Sequence, residues 1–114
     1  MLIAAGERLF GEPLVNLVFR RGEGVKRAGK GVVRARVLVD FESGRIVEAL
    51  VRGDFIAYPE DIVWRLEAFL KGAPISEVPA RVAAALEGAR LVGCTPSDFA
   101  DAILDAVKKA GGTV

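Results

Sequence analysis

The stretch "VVRARVLVDF", residues 32 to 41, alternates so regularly that it fits an extended strand with one dry face. Val33, Ala35, Val37, Val39 and Phe41 share that face at period two, while Arg34, Arg36 and Asp40 point the other way. "ESG" then offers a turn, with Gly44 free to take positive φ, and "RIVEALVRG" returns with Val47, Ala49 and Val51 facing inward. The pair predicts a β-hairpin. Its opposite face mixes Leu38, Ile46 and Leu50 with Arg34, Arg36, Glu48 and Arg52. Antiparallel sheets in small domains often keep one face wet, so this face is either covered by the N-terminal segment or is a contact surface.

Before the hairpin, "LVNLVFR" at 14 to 20 fits a strand or a short helix. "RRGEGVKRAGKG" reads as a loop, because four glycines and five cations break any periodicity. After the hairpin the pattern turns helical three times. The first helix is expected to open at Pro59, with Glu60 and Asp61 in its first turn and Gly72 ending it. Ile62, Val63, Leu66, Phe69 and Leu70 form its apolar stripe. Trp64 falls on the far side of that stripe, either under a terminal segment or exposed as a partner anchor. A second helix begins near Pro79 with Val82, Ala85, Leu86 and Ala89 on one face. The third has Thr95 as N-cap, Pro96 at N1 and Asp98 at N3, then Phe99, Ala102, Ile103, Ala106, Val107 and Ala110 in one stripe. The fold class expected is α+β: a small antiparallel sheet, the hairpin plus an N-terminal strand, packed against three C-terminal helices. At 114 residues one domain over 1–114 is expected, with 1–23 an N-terminal extension or first strand.

Composition narrows the chemistry. The chain has no histidine and one cysteine, which removes His-based general-base, nucleophile and ligand arrangements and any multi-cysteine metal site. It has no Walker-type loop and no G-x-G-x-x-G. No catalytic residue and no metal ligand set is expected. Apolar runs stop at five residues and the N-terminus lacks a basic n-region, so a cytoplasmic chain without a membrane span is expected. Cys94 precedes the third helix, and a staple against Phe99 fits it better than a thiol activated by the helix N-terminus. Charge is uneven around a net +1: residues 20 to 36 hold seven cations and one acid. That run is either a solvated face or a contact for an anion or acidic partner.

Three quoted stretches share an order with a known family. "VKRAGKGVVRARVLVDFESGRI" looks like its lysine–glycine–lysine stretch and hairpin, "VRGDFIAYPEDIVWRLEAFLKGAP" like its Gly-Asp-Phe junction and helix, and "VGCTPSDFADAILDAV" like its closing helix. Over residues 24 to 110 the chain resembles the C-terminal accessory domain of lipoate–protein ligases, and the small accessory subunit that supplies it in split, mainly archaeal, ligases. Ile56 departs from the second aromatic that the family often carries after Asp-Phe.

The resemblance implies a non-catalytic subunit that binds no cofactor alone. ATP, Mg and lipoate would act in a complex with the catalytic subunit, which makes lipoyl-adenylate and lipoylates a lipoyl domain or the glycine-cleavage carrier protein. It marks Lys26 and Lys30 as anion-contact candidates, and Asp54, Phe55 and Trp64 as partner-contact candidates. For Asp54 and Phe55 a structural role competes, the carboxylate satisfying backbone donors at the junction and the ring plugging the core. The main alternative function is a sulfur-acceptor or iron–sulfur-scaffold-like carrier, although a scaffold needs several thiolates. A nucleic-acid module is disfavoured, because no aromatic platform interleaves the cations.

Overall fold

The computed structural model describes residues 19–29 and 31–111. Strands β1 (Phe19–Arg27), β2 (Val32–Asp40) and β3 (Arg45–Gly53) form an antiparallel sheet in the order β1-β2-β3. A short ribbon pairs β4 (Ile56–Tyr58) with β5 (Arg90–Val92). Between these come α1 (Ile62–Leu70), a 3₁₀ turn (Ile75–Glu77) and α2 (Val78–Ala85), and α3 (Pro96–Ala110) closes the chain. The α+β architecture with three helices is the one expected. None of the described helices is long and apolar enough to cross a membrane.

Among the described residues the hairpin supplies a third of the buried apolar side chains. Val33, Ala35, Val37 and Val39 are all buried, against Ile46, Ala49 and Val51 from β3. The register slips between Leu38 and Val39, where Leu38 faces Glu48 but Val39 faces Ile46. This bulge leaves Val47 unopposed and turns Ile46 inward, fully buried, while Val47 is only half-buried. The expected assignment of those two side chains is thereby reversed. Phe41 also departs from expectation, because it belongs to the 41–44 turn and is 41% exposed.

The basic segment read as a loop is mostly strand β1. Its glycines, which looked like loop residues, are where α3 lies on the sheet. A Cβ on Gly22 would stand 2.6 Å from the Ala110 nitrogen and 2.7 Å from its Cβ, and one on Gly24 would run into the backbone of Ala102 and Ala106. Glycine at alternate positions in a strand marks close approach of another backbone. Residues 14–18 of the upstream segment lie outside the described residues.

Helix α3 follows its sequence closely. Asp98 N–H donates to the Thr95 hydroxyl at 3.4 Å, and Thr95 N–H donates to the Asp98 carboxylate at 2.8 Å, completing a capping box. All six residues of the expected stripe are buried. Asp105 ties the helix to β1 by accepting from Val25 N–H at 3.0 Å, and Lys109 lies 3.1 Å from it. The Val25 hydrogen bond first, and Lys109 second, hold the Asp105 carboxyl below its ordinary value. A folded-state value below the unfolded one contributes stability at neutral pH that is lost as pH falls through and below the carboxylate range. Asp105→Asn should therefore flatten the acid limb of a stability-versus-pH curve, measured by urea unfolding. An unchanged limb would assign the acid sensitivity to other groups.

Helix α1 starts later than expected. Pro59 to Asp61 form a turn in which Ile62 N–H donates to the Pro59 carbonyl at 2.9 Å. The residues before it, expected as a junction, pair as β4 instead. Ile62, Leu66 and Leu70 are buried, but Phe69 is 44% exposed and lies under the Arg81 guanidinium at 5.4 Å, outside the core. Helix α2 begins one residue before Pro79 and buries Val78, Val82 and the following Leu86.

Candidate partner-docking surface

The Asp54-Phe55 junction is built by glycines. Asp54 N–H donates to the Val32 carbonyl at 2.9 Å, carrying the chain off the sheet. A Cβ on Gly31 would overlap the Asp54 carbonyl oxygen, and one on Gly53 would overlap that of Val32 and touch the Phe55 ring at 3.0 Å. Two segments of backbone, 31–32 and 53–55, thus cross where only glycine fits. Phe55 is half-buried and meets Phe99 edge-to-face, centroids 5.0 Å apart at 74°, a favourable aromatic geometry. Its ring joins the end of the sheet to the first turn of α3, in keeping with the structural role weighed for it. Asp54 anchors through its backbone and not through its carboxylate, which is exposed and has no hydrogen bond among the described residues.

Lys26 lies on the same end of the sheet, since Lys26 pairs with Val33 and Val33 with Gly53. Its Nζ stands 3.2 Å from the Asp101 carboxylate on α3, both side chains about half exposed. An exposed pair of this kind contributes about 0–1 kcal/mol, so the lysine is held in place without being consumed. Lys30 lies outside the described residues.

Trp64 is elsewhere, on the flank of α1 that faces the edge of β3. It is 77% exposed. With Leu50, Ala68 and Lys71 it lines an open groove of about 460 Å³. On the groove floor Glu67 accepts the outward Val51 N–H at 2.8 Å and so occupies part of the free edge of β3. Further along that edge, Ile46 N–H donates to Ala73 and its carbonyl accepts from Gly72. The structure therefore gathers Lys26, Asp54 and Phe55 at one end of the sheet and leaves Trp64 on its edge.

One apolar surface escaped the sequence reading. Ile56 and Val92 face each other across the β4–β5 ribbon, 65% and 54% exposed, with Tyr58 beside them at 64%. Its signal, the large apolar residues Ile56 and Tyr58 at alternate positions in "FIAYP", was hidden because the partner strand is three residues long and pairs Ile56 with Val92, 36 positions on.

Cys94 is half-buried against the core. Burial first, and the Asp98 carboxylate second, push its thiol up from the ordinary value. That is opposite to the thiolate a sulfur-transfer nucleophile needs. Among the described residues no group of three or more His, Cys, Asp or Glu side chains converges to hold a metal.

No protein-family model matches the chain. A curated relative does: lipoate-protein ligase A subunit 2 of Thermoplasma acidophilum is 33% identical over 78 residues, covering 68% of this chain and 81% of the relative. Among solved structures, a chain from an archaeal lipoylation system of Thermoplasma acidophilum, described as a bi-partite lipoate protein ligase and its E2 lipoyl domain, superposes with a TM-score of 0.68 at 29% identity. That match covers 74% of this chain and 94% of the other.

Proposed function

The chain belongs to the family of lipoate-protein ligase A subunit 2, and from that premise we propose that it is the accessory subunit required, with a catalytic subunit, for ATP-dependent activation of lipoate to lipoyl-adenylate before protein lipoylation. The observation that carries the reading is the relatedness over four-fifths of the curated subunit, matched by the fold. The second subunit of a bipartite ligase has the catalytic subunit as its partner, and a lipoyl domain stands next in the same system.

In this reading ATP, magnesium and lipoate are held by the catalytic subunit. This chain's residues act by docking, which can close a reaction site against water and order the loops around it. Lys26, with Lys30 four residues on in the sequence, would supply the positive charge set against the negative charge that develops on phosphate oxygens during adenylation. The glycine crossing at Asp54-Phe55 would hold that end of the sheet in a single geometry.

Lipoate-dependent ATP–pyrophosphate exchange tests the proposal. The isolated chain should show no exchange, and adding it to the catalytic subunit should switch exchange on. Replacing Lys26 and Lys30 together with alanine should lower the exchange rate of the assembled complex. Full adenylation by the catalytic subunit alone would overturn the accessory role, and an unchanged rate in the double variant would remove the lysines from it.

A further inference from the structure

The sheet has two faces, and α3 packs on only one of them. On the other face the register sets Arg34 directly opposite Arg52, with Val25 on the far side of Arg34. The next row runs Glu23, Arg36, Leu50. Glu23 is committed to Arg36 at 3.1 Å. No described carboxylate forms an ion pair with Arg34 or Arg52. Like charges directly opposed across a strand pair are destabilising, so this row weakens the isolated sheet. Val25 and Leu50 beside it are 43% and 39% exposed.

Leu50 belongs to two concavities. It lines a cleft of about 180 Å³ with Arg34, Arg36 and Arg52, and it also lines the Trp64 groove. Leu50 therefore joins the arginine cleft to the Trp64 groove, whose walls also carry Glu48, Asp61 and Glu67, of which Asp61 pairs with Arg65 and Glu67 accepts from the Val51 backbone. Trp and Arg are the residue types most enriched among interface anchors.

We infer that this surface, running from Arg34 and Arg52 across Leu50 to Trp64, docks the catalytic subunit through a patch that sets carboxylates beside an apolar side chain. The inference rests on the two-subunit reading above and names the face and chemistry of its contact. A small anion would neutralise the arginines and leave Val25, Leu50 and Trp64 in water. An acidic protein surface carrying an apolar residue satisfies both, which is why a protein partner is chosen. The opposed arginines are then a feature whose cost to the free subunit is offset on assembly.

The test uses the full chain, its purified catalytic subunit, and calorimetric titration at low and high salt. Arg34→Glu places a carboxylate opposite Arg52. It should raise the melting temperature of the isolated chain by about 2–4 °C while weakening assembly about tenfold at low salt, with the gap narrowing at high salt. Arg20→Glu makes the same charge change on a side chain whose cross-strand partner, Val39, faces the core, and should bind as the parent does. Equal affinity of parent and Arg34→Glu overturns the docking face while leaving the accessory reading intact. A fall in melting temperature also overturns it, since the arginines would then already hold carboxylates of their own chain. Loss of binding to the lipoyl domain in Arg34→Glu, titrated the same way, with subunit assembly unchanged, would overturn the proposal and reassign the face to that domain. Failure of the parent chain itself to bind the catalytic subunit overturns both readings.

Discussion

Gly24→Ala is expected to destabilise the chain by about 3 kcal/mol, a drop of roughly 15 °C in melting temperature for a domain of this size. The added methyl would collide with the Ala102 carbonyl and the Ala106 nitrogen and stand 2.9 Å from the Ala106 Cα. All three are backbone atoms of α3, so no side chain can rotate away. Relief requires the helix to lift off β1, and with it Ala102, Ile103, Ala106 and Ala110 leave the core. Gly29→Ala is the matched control, because no described residue lies within 4 Å of its Cβ position. Thermal and urea unfolding of the two variants should separate them clearly. Coincident curves would mean that α3 does not approach the sheet at Gly24.

That contact also marks the limit of what the sequence alone discloses. The hairpin and α3 were legible because each carries its own periodicity: Val33, Ala35, Val37 and Val39 at period two, and the Phe99-to-Ala110 stripe at helical period behind a capping box. β1 was not, because Gly22 and Gly24 carry no side chain to report a face, and their role is defined only by the helix that arrives 80 residues later, as the Val25–Asp105 bond shows. The bulge at Leu38/Val39 was hidden for a different reason. "RIV" offers two adjacent apolar residues, and either Ile46 or Val47 satisfies an alternating pattern until pairing with β2 chooses. Phe69 joined the wrong set because helical phase places it at the margin of the stripe, where Arg81 from α2 competes with the core for its ring.

The contact residues divide in the same way. Trp64 stood out by type and helical phase, and Lys26 by the basic run and the family resemblance. Alternation put Arg52 on the face of Arg34 and Arg36, but Arg52 lies outside the basic run and only strand register sets it directly opposite Arg34. Register likewise sorts the basic run itself: Arg34 and Arg36 go to the open face, whereas Lys26 goes to the face covered by α3, where Asp101 meets it. A segment that reads as one charged patch is thus two, with different neighbours and different chemistry.

Trp64→Ala is expected to weaken assembly with the catalytic subunit by about 2 kcal/mol or more, roughly thirtyfold, and to leave the melting temperature of the isolated chain nearly unchanged. The two halves of that expectation have one cause. A tryptophan that is 77% exposed contributes little to its own fold, because most of its apolar area is still in water and is gained only when a partner covers it. The helix beneath it does not depend on it either: Ile62, Leu66 and Leu70 hold α1 to the core from the opposite side. The groove around it is set by Glu67 on the edge of β3, so its walls exist before binding and little ordering opposes the contact. It is the chain's single tryptophan, which makes its fluorescence a direct reading of this one site. Emission of the free chain should be that of a solvated indole and should move to shorter wavelength as the catalytic subunit is added. Blue emission from the outset, joined to a large stability loss in the alanine variant, would make Trp64 a packing residue of its own chain and remove it from the docking surface.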